Sequence, residues 1–438
     1  MPSRSRGVRA HGAKRAHVKI AIIGGSGFST PCLIKFLDQE KGPGKMEVVL
    51  ASRSRRKLDA VTRASKILVS GDMAIRAQEI RDNSWEQILD GSDCVLIQIR
   101  VGGYEGRLFD ETFPHKYGLC GDEGLGVGGL SAGWRTWPVV SDILDSITKF
   151  SPLALVIMLT SPLSLLVRAA LAYTKLNVVG ICELPWTTLQ NLSRQMGRQT
   201  RDVQADYFGV NHLGWFFNIR SCSEDLIEEL ASKVDECAFP TGKFLHTHRC
   251  LPTRYLRLHY EPEQVLMEQV SHTPRAETLR NFQEQAYRAY ESSELREVAS
   301  MLEQRAAPWY LQAVGPLLMA MSGRRTEVPF FLSTPHGSYT TLLEPGDVVE
   351  TAHQCTDGRL LRLPLAGALP EHVVENLVPL VRFERTATEA IMSRKFPLLV
   401  EALSLHPWTR GNAHLESMAN EIVLENNAVT SAPFQRSR

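Results

Sequence analysis

The stretch Val18–Pro31, VKIAIIGGSGFSTP, constrains this chain more than any other. Val18, Ile20, Ile22 and Ile23 form a short, β-branched apolar run of the kind that makes a strand buried on both faces. The run enters Gly24-Gly25-Ser26-Gly27, and Thr30-Pro31 then opens an amphipathic segment carrying Leu33, Ile34, Phe36 and Leu37. Strand, glycine turn and helix start together aim backbone N–H groups and a helix N-terminus at a diphosphate. Glycine suits the turn because a Cβ would obstruct it or the ligand. Thr30 stands where the third glycine of G-x-G-x-x-G would fall, so a plain strand-to-helix turn stays open beside a nucleotide site.

The chain of 438 residues exceeds one ordinary core, which predicts two fused domains. A formal net charge of +1 points to no nucleic acid and no anionic membrane as partner. The eight cysteines are scattered without a C-x-x-C pair, as expected of a reduced, cytoplasmic protein. The apolar run Leu153–Leu166 is interrupted by Ser161-Pro162, so no membrane span is predicted.

Strand-like runs recur at Val48–Ala51, Asp93–Gln98, Leu153–Leu159 and Val178–Cys182, with helical patterns at Ser141–Phe150 and about Leu163–Tyr173. This alternation predicts a doubly wound parallel α/β sheet of Rossmann type over 18–195. An α+β domain is predicted over 196–420, its substrate, metal and oligomerisation roles being those that the resemblance to a known family given below implies, with a disordered basic tail over 1–17 and a second tail over 421–438. The glycine-rich segment 104–140 reads as a long ordered functional loop, and Asp206–Trp215 as a strand carrying a polar Asn211-His212 pair.

The second strand ends in Ser52-Arg53-Ser54-Arg55-Arg56-Lys57, where a dinucleotide fold usually carries an acid for the ribose 2′-hydroxyl. A hydroxyl and a guanidinium suit a 2′-phosphate, and a solvated basic helix start is the equal alternative. His246-x-His248-x-Cys250 would align three metal ligands if it were a strand.

The residues Ile20–Pro31, Gln98–Gly103 with Glu105 and Arg107, and Asp110-Glu111 resemble glycoside hydrolase family 4, the NAD- and metal-dependent glycosidases. Lys116-Tyr117-Gly118, Arg135-Thr136-x-Pro138-Val139, Gly180-Ile181-Cys182 with Pro185, and Gly209-Val210-Asn211-His212 extend the resemblance, which runs from about 18 to 410. Within the family the 6-phospho-β-glucosidases are most similar. The resemblance implies a lactate/malate dehydrogenase-like first domain, and NAD (NADP as the alternative) on Gly24, Gly25, Ser26, Gly27, Phe28, Ser52 and Arg53. It implies Mn²⁺ or another divalent metal on Cys182 and His212, and contacts from Arg100, Arg107, Ser161 and Asn211 to an anionic, 6-phosphorylated glycoside. It further implies oxidation at C3 of the sugar, deprotonation at C2 and elimination of the aglycone. Tyr310, in Arg305-Ala306-Ala307-Pro308-Trp309-Tyr310, falls at the family's catalytic tyrosine, with its pKa expected below the usual 10, and Glu183 at a position suited to protonating the leaving group. A homodimer or homotetramer is implied likewise. Departures at Ser161, Ala306 and Ala307 keep two other readings open, a weakened nucleotide- or sugar-binding homologue and a dehydrogenase of the lactate/malate type.

Overall fold

The structure, a computed structural model, describes residues 17–40, 45–70, 73–234, 239–292, 294–304, 307–324, 326, 328–337, 340–356 and 358–430. The expectations placed on residues 1–16, Arg305 and Ala306 lie outside this set. One sheet runs through the molecule. Its parallel half is β3 (Ala74–Glu79), β2 (Lys45–Ser52), β1 (His17–Ile23), β4 (Cys94–Ile97), β5 (Leu155–Met158) and β6 (Asn177–Ile181), in that spatial order. This order 3-2-1-4-5-6 is that of the dinucleotide fold, and its reversal beside β1 makes the ligand crevice at the carboxyl ends. The strand side chains alternate between two cores. Ala21, Ile23, Val49 and Ala51 face one, and Ile20, Ile22, Val48 and Leu50 the other, so burial on both faces is observed as expected.

The sheet continues antiparallel without a break. β11 (Phe330–Pro335) pairs with β6, then β12 (Val348–Thr356), β7 (Gln204–Val210), β8 (Leu213–Ser221) and β10 (Cys250–Pro252) follow. β9 (Glu224–Asp225) and β13 (Arg359–Arg362) pair with β8 and β12. The expected second segment is therefore joined to the first by strand pairing rather than by a linker.

Three local readings are corrected. Segment 104–140 is not a loop but helix Gly103–Thr112, a short 3₁₀ turn, and the start of a long helix, Gly126–Phe150. Its glycines serve close approach, because a Cβ on Gly128 would lie 2.2 Å from the Asp110 carbonyl oxygen and 2.4 Å from that of Asp122. Asn211-His212 are not inside a strand; they are the turn between β7 and β8, and His212 takes φ +68°. The reading of 421–438 as a tail fails as far as Thr430, because Leu415–Thr430 is a helix whose Met418, Ala419, Ile422 and Asn426 are buried. Asn426 ties that helix to the long one by donating to Ser131 Oγ at 3.0 Å and accepting from Arg135 at 2.5 Å. Among the described residues, no helix is long and apolar enough to cross a membrane.

Candidate active site

Chemistry gathers where the carboxyl end of β6 meets the β7–β8 turn. Cys182 directly follows β6, and its Sγ accepts from the Leu184 amide at 3.4 Å while its thiol points to Glu183 Oε2 at 3.7 Å. Burial and the nearby carboxylates of Glu183 and Glu350 push the thiol pKa well up, and the Asn211 amide reaches it as a compensating donor. Asn211 in turn donates to Glu350 Oε1 at 3.0 Å, and Tyr207 donates to Glu350 Oε2 at 2.7 Å. Glu350, on β12, is fully buried, and desolvation raises its pKa to about 7. β7 and the turn that follows it thus share one buried carboxyl.

His212 is fixed by its backbone, its carbonyl accepting from Thr253 Oγ1 at 2.6 Å. Its ring stacks on Tyr255, with centroids 4.4 Å apart and planes at 12°. Burial, assisted by the Arg254 guanidinium, lowers the imidazole pKa to about 4, so the ring is neutral. Nδ1 is buried with no hydrogen-bond partner. A neutral ring with an orphaned nitrogen, beside a buried thiol, fits a divalent cation. Among the described residues no three His, Cys, Asp or Glu side chains converge as a ligand set.

Tyr255 escaped the sequence reading. It stands in a 3₁₀ turn, Arg254–Leu256, just after β10, and it feels the charges of Asp122, Cys182 and Glu183. Burial and Asp122 push its pKa up to about 12. Nothing local marks it; the antiparallel pairing of β10 with β8 carries it to the turn.

The glycine turn lies at the switch point. Gly24 and Gly25 amides donate to the Ala51 carbonyl at 2.9 Å, Gly27 donates to Gly24 at 3.1 Å and Thr30 to Gly27 at 2.9 Å, whereas the Ser26 and Ser29 amides enter none of these ties. A Cβ on Gly24, at φ +86°, would lie 2.6 Å from the Gln98 carbonyl oxygen, which keeps the turn tight against β4. The helix that follows, Thr30–Glu40, has no acid in its first turn. A half-exposed turn of this shape leading into an acid-free helix start fits a dinucleotide diphosphate. Ser26 and Ser52 hydroxyls meet at 2.7 Å. Phe28 is buried against Phe282 of helix Arg275–Ser292, whose Tyr287 and Tyr290 donate to the Ser26 and Phe28 carbonyls at 2.7 and 2.6 Å. Arg53 is exposed just past β2.

Arg100 and Arg107 come together as a pair sharing Glu123, Arg107 at 2.7 Å, and Arg107 also holds Glu111 at 2.6 Å. Burial and the neighbouring Arg107 lower the Arg100 pKa to about 10, the mark of two guanidiniums crowded in one place. Ser161 is half-buried after β5, beside Thr160, whose hydroxyl accepts from the Ile99 amide at 3.0 Å.

Two expectations meet different surroundings. Tyr310 is 4% exposed in the core against helix Thr30–Glu40, its hydroxyl donating to Gln98 Oε1 at 2.6 Å. Its pKa does not fall but is pushed up to about 12 by burial. His246 and His248 belong to a helix, Gly242–His248, rather than a strand; His246 pairs with Glu228 at 2.8 Å and His248 stacks on His372, so three aligned ligands do not form.

The family model described as "Family 4 glycosyl hydrolase" matches residues 19–198, and that of its C-terminal domain matches 207–409. The 6-phospho-beta-glucosidase BglT of Thermotoga maritima is 27% identical over 89% of this chain and 94% of its own length. The 6-phospho-beta-glucosidase of Escherichia coli is 25% identical over 93% and 95%. The phospho-alpha-glucosidase PagL of Clostridium acetobutylicum is 28% identical but over 46% of each chain. The structure of the Thermotoga maritima 6-phospho-beta glucosidase with NAD and glucose-6-phosphate superposes with a TM-score of 0.83, at 25% identity, over 94% of this chain and 99% of that one. A lactate dehydrogenase, at 14% identity and a TM-score of 0.52, shares the fold alone. The chain belongs to the family 4 glycosyl hydrolases.

Proposed function

We propose that this chain hydrolyses 6-phospho-β-glucosides by oxidation at C3, loss of the C2 proton and elimination of the aglycone, after which water adds at C1, C2 regains a proton and the hydride returns to C3. The observation that carries the reading is the convergence of Cys182, His212, Tyr255 and Glu183 at the carboxyl end of the parallel sheet, reached from both halves of one fold. The β preference rests on the sequence matches of relatives, since the β-glucosidases match 89% and 93% of the chain and the α-glucosidase 46%.

When bound, a dinucleotide supplies a hydride acceptor for C3, and a divalent cation supplies a Lewis acid for the resulting carbonyl. Cys182 and His212 hold that cation, with Asn211 fixed by Glu350 to steady the thiol. Tyr255, rather than Tyr310, takes the C2 proton. Its hydroxyl must first lose its own, which burial and Asp122 oppose and which positive charge beside His212 favours. Glu183 gives a proton to the departing aglycone oxygen. Arg100 and Arg107 take the 6-phosphate, exchanging part of their hold on Glu123 for a doubly charged oxyanion. Ser161 and Asn211 line the sugar, and the oligomer is a homodimer or homotetramer, which light scattering would measure.

The test is nitrophenol release from α- and β-nitrophenyl glucosides with and without a 6-phosphate, supplying Mn²⁺, a thiol reductant and either NAD or NADP. Hydrolysis of the β-6-phosphate substrate that stops when metal or nucleotide is withheld, and that Cys182→Ser abolishes in a folded protein, is the expected result. Net cofactor reduction without nitrophenol would make the chain a dehydrogenase. Bound nucleotide with no turnover on any substrate would make it a binding homologue.

A further inference from the structure

The glycine turn is held in part by residues that lie far along the chain. Within the turn, the Gly27 amide donates to the Gly24 carbonyl at 3.1 Å, the Thr30 amide to Gly27 at 2.9 Å and the Cys32 amide to Ser29 at 3.0 Å. The carbonyls interleaved with these, those of Ser26 and Phe28, accept from the hydroxyls of Tyr287 and Tyr290 at 2.7 and 2.6 Å, across 261 and 262 positions of the chain. We propose that Tyr287 and Tyr290 are positioning residues of the dinucleotide site, holding the diphosphate turn in its binding shape before the nucleotide arrives. The inference rests on the nucleotide part of the proposed function and adds two residues to it.

The two hydroxyls are presented rigidly. Tyr287 and Tyr290 are three residues apart on helix Arg275–Ser292 and so share one face of it. Both are buried, with ring centroids 6.5 Å apart and planes at 84°. Burial pushes both phenol pKa values above the usual 10, so each hydroxyl keeps its proton and stays a donor. The helix itself is fixed at both ends. Near its start the Ala276 amide donates to Glu111 Oε2 at 2.8 Å, and near its end Glu291 accepts from Arg56 at 2.7 and 3.2 Å. Between them Phe282 packs on Phe28 of the turn, with centroids 5.6 Å apart.

The contacts act on the direction of the peptide planes. In a trans peptide the C=O and the following N–H point opposite ways. Tyr290, by holding the Phe28 carbonyl, therefore turns the Ser29 amide to the other side, and that amide is outside the turn's own bonds. Tyr287, by holding the Ser26 carbonyl, likewise aims the Gly27 amide at Gly24 and closes the turn. A carbonyl swung round toward the ligand would set its negative end against a diphosphate. Glycine at 24, 25 and 27 makes this segment unusually free before it is ordered, and a nucleotide that had to order it would bind more weakly by that amount. Two hydroxyls that order it beforehand remove the loss.

The experiment titrates NAD⁺ by isothermal titration calorimetry into the full native chain, Tyr287→Phe and Tyr290→Phe. Phenylalanine keeps the ring and removes only the donor. Each variant is expected to bind NAD⁺ about three- to tenfold more weakly, the range for one lost hydrogen bond. In nitrophenol release the loss should fall on KM for NAD⁺ rather than on kcat. Circular dichroism checks the fold, and Tyr287, at the less buried position, supplies the test if Tyr290→Phe does not fold. Native NAD⁺ affinity in the folded variants, with or without a lower urea midpoint, makes the hydroxyls structural only and overturns the proposal while leaving the nucleotide reading intact. A loss in kcat with KM for NAD⁺ unchanged overturns it as well. A native chain that binds no NAD⁺ overturns the nucleotide reading and the proposal with it.

Discussion

At the scale of single residues, two tyrosines meet different surroundings. Tyr255 stacks on His212 within reach of the charges of Cys182, Glu183 and Asp122, whereas the Tyr310 hydroxyl is spent on Gln98 inside the core. Tyr255→Phe should lower kcat by about 10²–10⁴-fold, the range for removing a proton-transfer group, with the melting temperature little changed. Tyr310→Phe should leave kcat close to native and cost about 0.5–1.5 kcal/mol in urea unfolding, because Gln98 loses its donor. The reverse pattern would return the base to Tyr310. Tyr310 could be found from a sequence because its neighbours resemble a motif. Tyr255 could not, since its meaning arises from a stacking partner 43 positions earlier in the chain.

At the scale of elements, the long helix Gly126–Phe150 packs against Gly103–Thr112. The two are clamped by Arg135, which donates to Asp110 Oδ1 at 3.2 Å and to the Val101 carbonyl at 2.9 Å in full burial. Burial still raises the Asp110 pKa to about 6, so the pair is costly to bury and costlier to split. Asp110→Ala should therefore destabilise the fold by about 3–5 kcal/mol, read as a fall in the urea midpoint. Gly128→Ala should destabilise it by about 1–3 kcal/mol or more, since its Cβ meets two backbone carbonyls that have little room to retreat. A native-like midpoint for Gly128→Ala would show that the helix can shift outward. Glycine content reads as a loop when only composition is weighed. The same glycines permit helix contact once it is known what they face.

At the scale of the whole molecule, buried acids and buried imidazoles act against each other as pH changes. Burial raises the Glu384 pKa to about 8 and that of Glu350 to about 7, against 4.5 in the unfolded chain. A carboxyl raised in this way keeps in the fold a proton that the unfolded chain has released. Its contribution is full below about pH 4.5 and is lost as pH climbs through the folded value. His353, at about 4, and His406, at about 3, run the other way below their unfolded value of 6.5, where the unfolded chain takes up protons that the fold refuses. Between about pH 6.5 and 8 the histidines fall silent and stability should decline, by at most about 1.4 kcal/mol per pH unit for each acid. Glu384→Gln, which can still accept from Ser164, should flatten that decline in urea titrations run at several pH values; an unchanged slope would remove Glu384 from the account. The sequence by itself determined five of the six parallel strands, the glycine turn and the family, because apolar period, glycine placement and motif spacing are local properties of a chain, and it passed over β3, the edge strand Ala74–Glu79. Only the tertiary structure decided that one sheet joins both segments, that Asn211-His212 is a turn, that residues after 414 form a helix as far as Thr430, and that Tyr255 rather than Tyr310 faces the imidazole. The last helix depends on packing against Gly126–Phe150, and the other outcomes on pairings between β6, β11, β12, β7, β8 and β10, whose partners lie far apart along the chain and whose energies come from burial and register rather than from any short sequence pattern.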